Sequence, residues 1–231
     1  INTGSSSSYP SLSAGIANGN NFYFYASDGT NGSELWTYDA QLDTVYMLQD
    51  IRPGSGSSYP SNFASNGTDI FFQANDGTNG TELWKYDLQL DTAYMVQDIY
   101  SGSNSSSPQK LFSDSHGIYF QANDGTHGHE LWKYDLQLDT AYMVQDINPG
   151  SSASWAQNFV SNGIDVYFRA ENGTNGSELW KLDTQTDSAY LFLDLNLSAG
   201  SNPSDMIFYG DYLFMTANGN FGGYELHWVE F

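Results

Sequence analysis

The sequence predicts an all-β protein, a five-bladed β-propeller of ~48-residue blades with four strands each. A Glu-Leu pair recurs five times, and its glutamates are spaced by 48, 48, 48 and 47 residues. The stretch ELWKYDLQLDTAYMVQDI occurs twice, letter for letter, at 82–99 and 130–147. Within each unit apolar and polar residues alternate, which is the period of a strand. Four short strands in a repeat of about 40–50 residues are typical of propeller blades.

Each unit divides into four strands, which we label a to d in chain order. In ELWKYDLQL large and polar residues alternate, while DIFFQA and TAYMVQDI are rich in aromatic and β-branched residues. For the second unit we expect strands a to d near 60–65, 69–74, 81–88 and 92–99. The repeats are predicted to form one domain over 1–231, at about 10–51, 60–99, 108–147, 156–195 and 203–231.

The two ends of the chain set the phase of the repeat. INTGSSSSYPS at 1–11 matches IRPGSGSSYPS at 51–61 in eight of eleven positions, so the chain enters in a loop between strand d and strand a. Phe231 aligns with Ala40, just after strand c. We therefore expect three strands in the last blade, and an open edge through which the protein could form an oligomer.

Composition narrows the range of partners. The chain has 27 acidic and six basic residues, a net charge of −21, which excludes a nucleic-acid partner because phosphate binding needs a basic surface. No apolar run reaches the roughly 18–20 residues that membrane insertion needs. There is no cysteine, so disulfides and thiolate metal sites are excluded. The non-Met start and the abundance of Ser, Asn, Gly and Tyr predict a secreted, extracellular protein.

Two motifs carry a family resemblance. ANDGTNGTELW and QDIRPGSGSSYPS, which together recur over most of every unit, resemble the ELWxxDGT-type repeat propellers of secreted and surface-anchored proteins. The chain departs from that pattern after the tryptophan, where KYDLQLDTAY replaces the expected DGTxxGT turn. The resemblance implies the propeller architecture and no particular activity.

Two sets of loops provide the candidate ligand-binding residues. In a propeller the b–c and d–a loops share one face, here called the top face, and meet at each blade junction. The d–a loops carry aromatic residues at Tyr9, Tyr59 and Trp155. The b–c loops carry short polar residues at Asp28, Asn31, Asp76, Asn79, Asp124, His127, Asn172 and Asn175. Polar groups beside an apolar ring suit sugars, so we expect a multivalent carbohydrate-binding protein, a lectin, whose partners are glycans or glycoconjugates.

Both loop sets also have a purely structural explanation. Asp-Gly and Asn-Gly form hairpin turns because these positions need a positive φ. The aromatic residues could instead pack over the edge of a neighbouring blade. For function, the alternative is a non-catalytic structural or adhesive module that contacts proteins.

Acidic residues form two further columns along the repeats. Glu34, Glu82, Glu130, Glu178 and Glu225 lie beside tryptophans, where we expect burial and therefore a partner for each carboxylate. Asp50, Asp98, Asp146 and Asp194 end strand d. We expect structural hydrogen bonds and no required cofactor, with Ca²⁺ as the one candidate ion and its ligands unknown. His127 and His129, two residues apart, are expected on one strand face, where they could hold a metal ion. Incidental substitution at the surface is the favoured explanation of this pair.

An enzyme is the least favoured function, and we predict no catalytic residues. A five-bladed glycosidase would place a pair of carboxylates on strand a. Only Lys110, Asp114 and Asp205 are charged there, and Asp114 is expected at the far end of its strand.

Overall fold

The computed structural model describes residues 1, 7–219 and 223–231. Part of the entry loop (2–6) and part of the last b–c turn (220–222) lie outside these residues, with the predictions made for them. The described chain forms nineteen strands in five sheets, and none of it is helical. No segment of this described part is therefore an apolar helix able to cross a bilayer.

The first two blades lie in the first half of the chain. Blade 1 consists of β1 (Ile16–Asn18), β2 (Asn21–Ser27), β3 (Ser33–Asp39) and β4 (Thr44–Gln49). Blade 2 consists of β5 (Ser61–Ser65), β6 (Asp69–Asn75), β7 (Thr81–Asp87) and β8 (Thr92–Gln97). The four strands of blade 2 agree with the predicted positions of strands a to d.

Three blades follow. Blade 3 consists of β9 (Gln109–Asp114), β10 (Gly117–Asn123), β11 (His129–Asp135) and β12 (Thr140–Gln145). Blade 4 consists of β13 (Gln157–Ser161), β14 (Val166–Glu171), β15 (Ser177–Asp183) and β16 (Ser188–Leu193). Blade 5 consists of β17 (Ser204–Tyr209), β18 (Tyr212–Asn218) and β19 (Tyr224–Glu230).

Within every sheet the strands lie side by side in chain order, and each pairs antiparallel with the next. Such sheets in succession are the blades of a β-propeller, and the predicted fold is confirmed, including the three-stranded last blade. The chain divides into two compact units, residues 1–113 and 114–231. That the whole chain is one domain stays a prediction.

Blades pack face to face through the alternating apolar residues of their strands. In the first unit, Tyr23 and Leu35 of blade 1 form one buried cluster with Ile70, Phe72 and Tyr86 of blade 2. All five are at most 3% exposed. Burying each such side chain stabilises the fold by about 1.5–3 kcal/mol, so this contact fixes the position of the loops between the two blades.

The last two blades repeat this packing in the second unit. Tyr167 and Leu179 of blade 4 are buried with Leu213, Met215 and Ala217 of blade 5. The strands therefore use one face toward the preceding blade and the other toward the following one. Each d–a loop crosses the junction, where the candidate ligand-binding residues were predicted.

Candidate binding sites at the blade junctions

The b–c loops are turns closed by their own side chains. Asp28 Oδ1 accepts hydrogen bonds from the amides of Thr30 at 2.7 Å and Asn31 at 2.8 Å, and its Oδ2 accepts one from Asn31 Nδ2 at 2.8 Å. These bonds, led by that from the Asn31 amide, lower the pKa of Asp28. The glycine at the second position, Gly29, has a φ of 87°, as the turn explanation requires.

The same arrangement recurs in the next three b–c loops. Asp76 bonds to Asn79, Asn172 to Asn175, and Asp124 Oδ2 lies 2.7 Å from His127 Nδ1. The hydrogen bond to Asp124 raises the pKa of His127. The eight predicted polar residues of these loops therefore pair with one another, and this pairing accounts for their recurrence without a ligand.

Each b–c loop is pressed against the d–a loop that follows it. A Cβ added at Gly32 would lie 1.7 Å from the Gly56 carbonyl oxygen, and one at Gly80 would lie 1.6 Å from that of Asn104. Gly128 approaches Ser152 in the same way. Only glycine fits here, so the two loops are adjacent at these junctions.

A buried glutamate anchors each of the four d–a loops that join one blade to the next. Glu82 is fully buried and accepts hydrogen bonds from the amides of Ile99 at 3.0 Å and Ser106 at 2.7 Å, and from the Ser106 hydroxyl at 2.5 Å. Glu34, Glu130 and Glu178 hold the serines of their own d–a loops, Ser58, Ser154 and Ser201. Burial raises the pKa of Glu34, Glu82, Glu130 and Glu178, and that of Glu130 reaches about 7, although the serine hydrogen bonds oppose this shift.

The fifth glutamate departs from the prediction. Glu225 was expected to be buried like the others, but it is exposed. The other four are covered by a d–a loop some 17 to 24 residues further along the chain, as in the Glu34 bonds to Ile51 and Ser58. Within residues 1, 7–219 and 223–231, no d–a loop covers Glu225.

The three predicted aromatic residues stand out of the d–a loops. Tyr9, Tyr59 and Trp155 are 73%, 59% and 48% exposed. Their φ angles are 44°, 49° and 54°, in the left-handed region that bulky residues avoid. Ser107 and Asn202, at the same position in the other two d–a loops, share this conformation. Each strained residue costs on the order of 1–3 kcal/mol, and such residues cluster at functional sites.

The d–a backbone at these residues is hydrogen-bonded to the preceding blade. The amides of Ser58 and Tyr59 both donate to the Ser33 carbonyl oxygen, at 3.1 and 3.2 Å, while the Ser58 amide also reaches Glu34. In the second unit the amides of Ser154 and Trp155 both donate to the His129 carbonyl oxygen.

Two of the aromatic rings have a side-chain partner on the preceding blade. The Tyr59 ring meets the Tyr25 ring edge-on, with centroids 6.2 Å apart. The Trp155 ring lies nearly parallel to the His129 ring, at 5.1 Å and 16°. The rings are therefore partly supported by the preceding blade, as in the packing explanation, while about half or more of each remains exposed.

Sequence reasoning missed a second column at these junctions. Tyr25, Gln73, Gln121 and Arg169 occupy one position of strand b, between a Phe and an Ala that are the same in all four blades. Gln73 Oε1, Gln121 Oε1 and Arg169 Nε are buried and have no hydrogen-bond partner within the described chain. Gln121 is only 3% exposed. A variable residue between two constant ones was the signal that could have found this column.

Blade 3 and the loop after it carry the most developed junction. Asn123 pairs with His129 across β10 and β11, so Gln121, two residues earlier, lies on the same face as His129. The Nδ1 atom of His129 is buried without a partner in the described chain, and burial lowers its pKa. Gln121, His129 and Trp155 thus combine polar atoms that lack a partner with an exposed ring.

The structure also places the two histidines and the aspartate column. His127 and His129 do not share a strand face, because β11 begins at His129 and His127 belongs to the turn, bound to Asp124. Asp98 Oδ2 accepts the Gly102 amide at 3.0 Å, but Oδ1 of Asp50, Asp98 and Asp146 is buried without a partner in the described chain. No cluster of three or more potential metal-ligating residues occurs in residues 1, 7–219 and 223–231.

The two strand-a aspartates lie at different positions of their strands. Asp114 ends β9 and receives a hydrogen bond from Ser161 at 3.0 Å, whereas Asp205 is the second residue of β17. Lys110 of β9 and Asp205 of β17 are the residues with a positive φ in their strands, so we take them as equivalent positions. Asp114 therefore lies four residues further along its strand than Asp205 does.

Comparisons with known proteins bear on the fold alone. No protein-family model and no curated protein sequence matches the chain. Among solved structures, a prolyl endopeptidase matches 96% of the chain with a TM-score of 0.62 and 11% identity, over 34% of its own length. A puromycin-hydrolyzing peptidase of Mycobacterium tuberculosis matches 100% of the chain at 0.59 and 10% identity, over 37% of its length. A putative TolB from Agrobacterium tumefaciens matches 100% of the chain at 0.51 and 12% identity, over 78% of its length.

Proposed function

We propose that the protein is a lectin that binds carbohydrate at several blade junctions. The observation that carries this proposal is the aromatic column: Tyr9, Tyr59 and Trp155 are exposed rings on strained backbone. A ring held in this way presents an apolar face to solvent with little freedom left to lose on binding. Sugars bind by stacking one face on such a ring while their hydroxyls take up hydrogen bonds.

The hydrogen-bonding groups are those of the second column rather than of the b–c turns. Gln73 Oε1, Gln121 Oε1 and Arg169 Nε lack partners in the described chain. A buried polar atom without a partner costs about 1–3 kcal/mol, which a ligand hydroxyl would recover. The aspartates and asparagines of the turns shape the b–c loops, and only the lone pairs not used in these turns remain to accept hydrogen bonds from a sugar.

The junctions differ in ways that would tune their affinity. Residues 72–99 and 120–147 differ only where Asn79 and Thr81 are replaced by His127 and His129. His129 supports the Trp155 ring at the third junction. This junction is therefore the one with both a large stacking surface and a polar group of its own, and we assign it the highest affinity.

Several weak sites on one protein act together on a glycan-coated surface, where avidity raises the overall affinity by orders of magnitude. We place this activity outside the cell, in keeping with the cysteine-free, strongly acidic composition. No cofactor is required in this proposal. The buried oxygens of Asp50, Asp98 and Asp146, which lack a partner in the described chain, are the ligands we would test first for a cation.

The test is a glycan array probed with the purified chain, once with calcium and once with EDTA. We expect selective binding to a small group of glycans in both buffers. Binding lost in EDTA alone would give the aspartate column a direct role as ion ligands. Failure to bind any glycan in either buffer would refute the lectin proposal for the sugars on the array.

The structural or adhesive alternative has one observation in its favour: large side chains of blade 5, Tyr209, Tyr224 and Trp228, are 79%, 64% and 61% exposed. The two functions separate in the array experiment. A protein-contact module would bind no glycan, and its behaviour would depend on blade 5 rather than on the aromatic column.

A further inference from the structure

In blades 2 and 3 the unpartnered polar atoms of two columns are hydrogen-bond acceptors. In the second column they are Gln73 Oε1 and Gln121 Oε1, and at the end of strand d they are Oδ1 of Asp98 and of Asp146. All four atoms are buried without a partner in the described chain. A buried acceptor regains free energy when a donor reaches it, so these two blades suit the hydroxyl hydrogens of an uncharged sugar.

Blade 4 presents the opposite polarity. Its second-column residue is Arg169, whose Nε atom is buried and whose guanidinium has no hydrogen bond or ion pair within residues 1, 7–219 and 223–231. Its aspartate is satisfied instead, because Asp194 Oδ1 accepts the Asn196 amide and Oδ2 accepts Asn175 Nδ2, both at 3.1 Å. In these two columns the unpartnered group of blade 4 is therefore a cationic donor.

One substitution in the b–c turn accounts for the satisfied aspartate. In blade 2 the turn begins with Asp76, which accepts a hydrogen bond from Asn79 Nδ2 at 2.7 Å. In blade 4 the turn begins with Asn172, which donates from its own Nδ2 to Asn175 Oδ1 at 3.1 Å. The Nδ2 group of Asn175 is thereby left to donate to Asp194. The neutral turn removes one negative charge and also occupies a neighbouring carboxylate.

Arg169 lies on the strand that borders the d–a loop after blade 4. Two residues further along β14, Glu171 pairs with Ser177 across the sheet. The Ser177 carbonyl oxygen accepts the Asn202 amide of that loop at 2.8 Å. Asn202 has the left-handed conformation that the exposed rings have in other d–a loops. This junction therefore offers a cation and an amide where other junctions offer an aromatic surface.

The acidic residues of the chain leave Arg169 without a partner. Glu171 lies on the same strand face, since side chains two residues apart point the same way, but it forms no ion pair with the guanidinium in the described chain. Lys133 and Lys181 do pair with carboxylates, at 2.7 and 2.6 Å. A partly buried charge ordinarily has a partner. In a chain with 27 acidic residues, an unpartnered arginine points to an anionic ligand.

We propose that the fourth junction, formed by β14 and the d–a loop after blade 4, binds the acidic group of a charged sugar, a carboxylate or a sulfate. Arg169 holds this group, because the N–H donors of a guanidinium form a fork that matches two oxygens of an anion. The net charge of the chain does not prevent binding, since charges more than about 8 Å away are screened at physiological ionic strength. This inference rests on the proposed lectin function and adds a second class of ligand to it.

The test is an array that carries each glycan in an uncharged, a carboxylated and a sulfated form, probed with the wild type and with Arg169→Gln. Glutamine occupies this position in blades 2 and 3, so the variant should fold. We expect the wild type to favour charged forms, and Arg169→Gln to bind them about ten- to a hundredfold more weakly with unchanged binding of uncharged forms. Lys110→Gln removes the same charge from an exposed position of β9 and should change nothing.

A second variant separates charge from geometry. Arg169→Lys keeps the charge without the fork, so it should bind the charged forms more weakly than the wild type and more tightly than Arg169→Gln. A loss confined to the carboxylated forms would assign a sugar acid as the ligand, and a loss confined to the sulfated forms would assign a sulfate ester.

The outcomes distinguish this inference from the lectin proposal. Binding of uncharged glycans with no preference for charged forms would overturn the role of Arg169 and leave the aromatic column standing. Equal binding of charged forms by the wild type and by folded Arg169→Gln would do the same. Absence of binding to every glycan would overturn both proposals.

Discussion

Replacing Gly80 by alanine should disrupt the junction between the second b–c loop and the d–a loop after it. Gly80 has a φ of 73°, and a Cβ would lie 1.6 Å from the Asn104 carbonyl oxygen, where an ordinary contact needs about twice that distance. The d–a loop must therefore move. Ser106, which donates hydrogen bonds to the buried Glu82, lies two residues after Asn104, so this movement should break one of these bonds.

The magnitude follows from two contributions. A left-handed alanine costs about 1 kcal/mol or somewhat more relative to glycine. Loss of one hydrogen bond to a charged group costs about 1.5–3 kcal/mol. We expect Gly80→Ala to lower the free energy of unfolding by about 3 kcal/mol, measured by urea denaturation.

Gly67→Ala is the matched control, because Gly67 has a φ of 94° but no atom within 4 Å of an added Cβ. It should cost only the conformational part, about 1 kcal/mol. Equal destabilisation by the two substitutions would refute the loop-packing argument.

Three further predictions concern the buried acids and the aromatic column. Ser106→Ala should cost about 1.5–3 kcal/mol of unfolding free energy, while Ser103→Ala, at an exposed position of the same loop, should be neutral in the same assay. Burial raises the pKa of Glu130 from 4.5 to about 7, so its contribution to stability is fully present below pH 4.5 and is lost as the pH rises through 7. This contribution amounts to about 3 kcal/mol. The thermal midpoint of the wild type should therefore fall from pH 5 to pH 8, and that of Glu130→Gln should fall less steeply. A wild-type midpoint that rises over this range would contradict the assignment. His129, whose pKa burial lowers, opposes this trend below pH 6.5. Trp155→Asn should leave the thermal midpoint nearly unchanged, because asparagine tolerates the left-handed conformation that Asn202 already has; a collapse of stability would make the tryptophan a packing residue.

The blades could be predicted because the same pattern of strands and turns recurs in five units of the sequence. Strand period, turn glycines and unit length all agree, so the four strands of blade 2 were placed to within about two residues. The three-stranded last blade followed from the alignment of Phe231 with Ala40.

The junctions were only partly predictable, because their geometry depends on groups distant in the chain. The amide of Tyr59, a residue with a left-handed φ, donates to the Ser33 carbonyl oxygen, and the neighbouring Ser58 amide donates to the Glu34 carboxylate; both partners lie about 25 residues earlier. No local rule places a tyrosine there, since its own preference opposes that conformation. The sequence does show that a serine recurs just before the residue with the left-handed φ in each d–a loop. It does not show that the buried glutamate is the hydrogen-bond partner of that serine.

Glu225 was predicted wrongly for a related reason. Its immediate sequence, ELHW, resembles that of its buried counterparts, so a local comparison assigns it the same burial. The burial of Glu34 is produced by Ile51 and Ser58 rather than by its own neighbours. The sequence around a glutamate therefore predicts its burial only together with the distant residues that cover it.

Carbohydrate recognition by the aromatic column is tested most directly by comparing glycan binding of the wild type with that of a Tyr9→Asn, Tyr59→Asn, Trp155→Asn triple variant. Both proteins are compared at equal folded concentration on the same array, in a buffer with calcium. We expect the variant to keep its fold and to lose binding by about a hundredfold or more, since stacking and avidity are lost together. Unchanged binding by a folded triple variant would contradict the proposed sites.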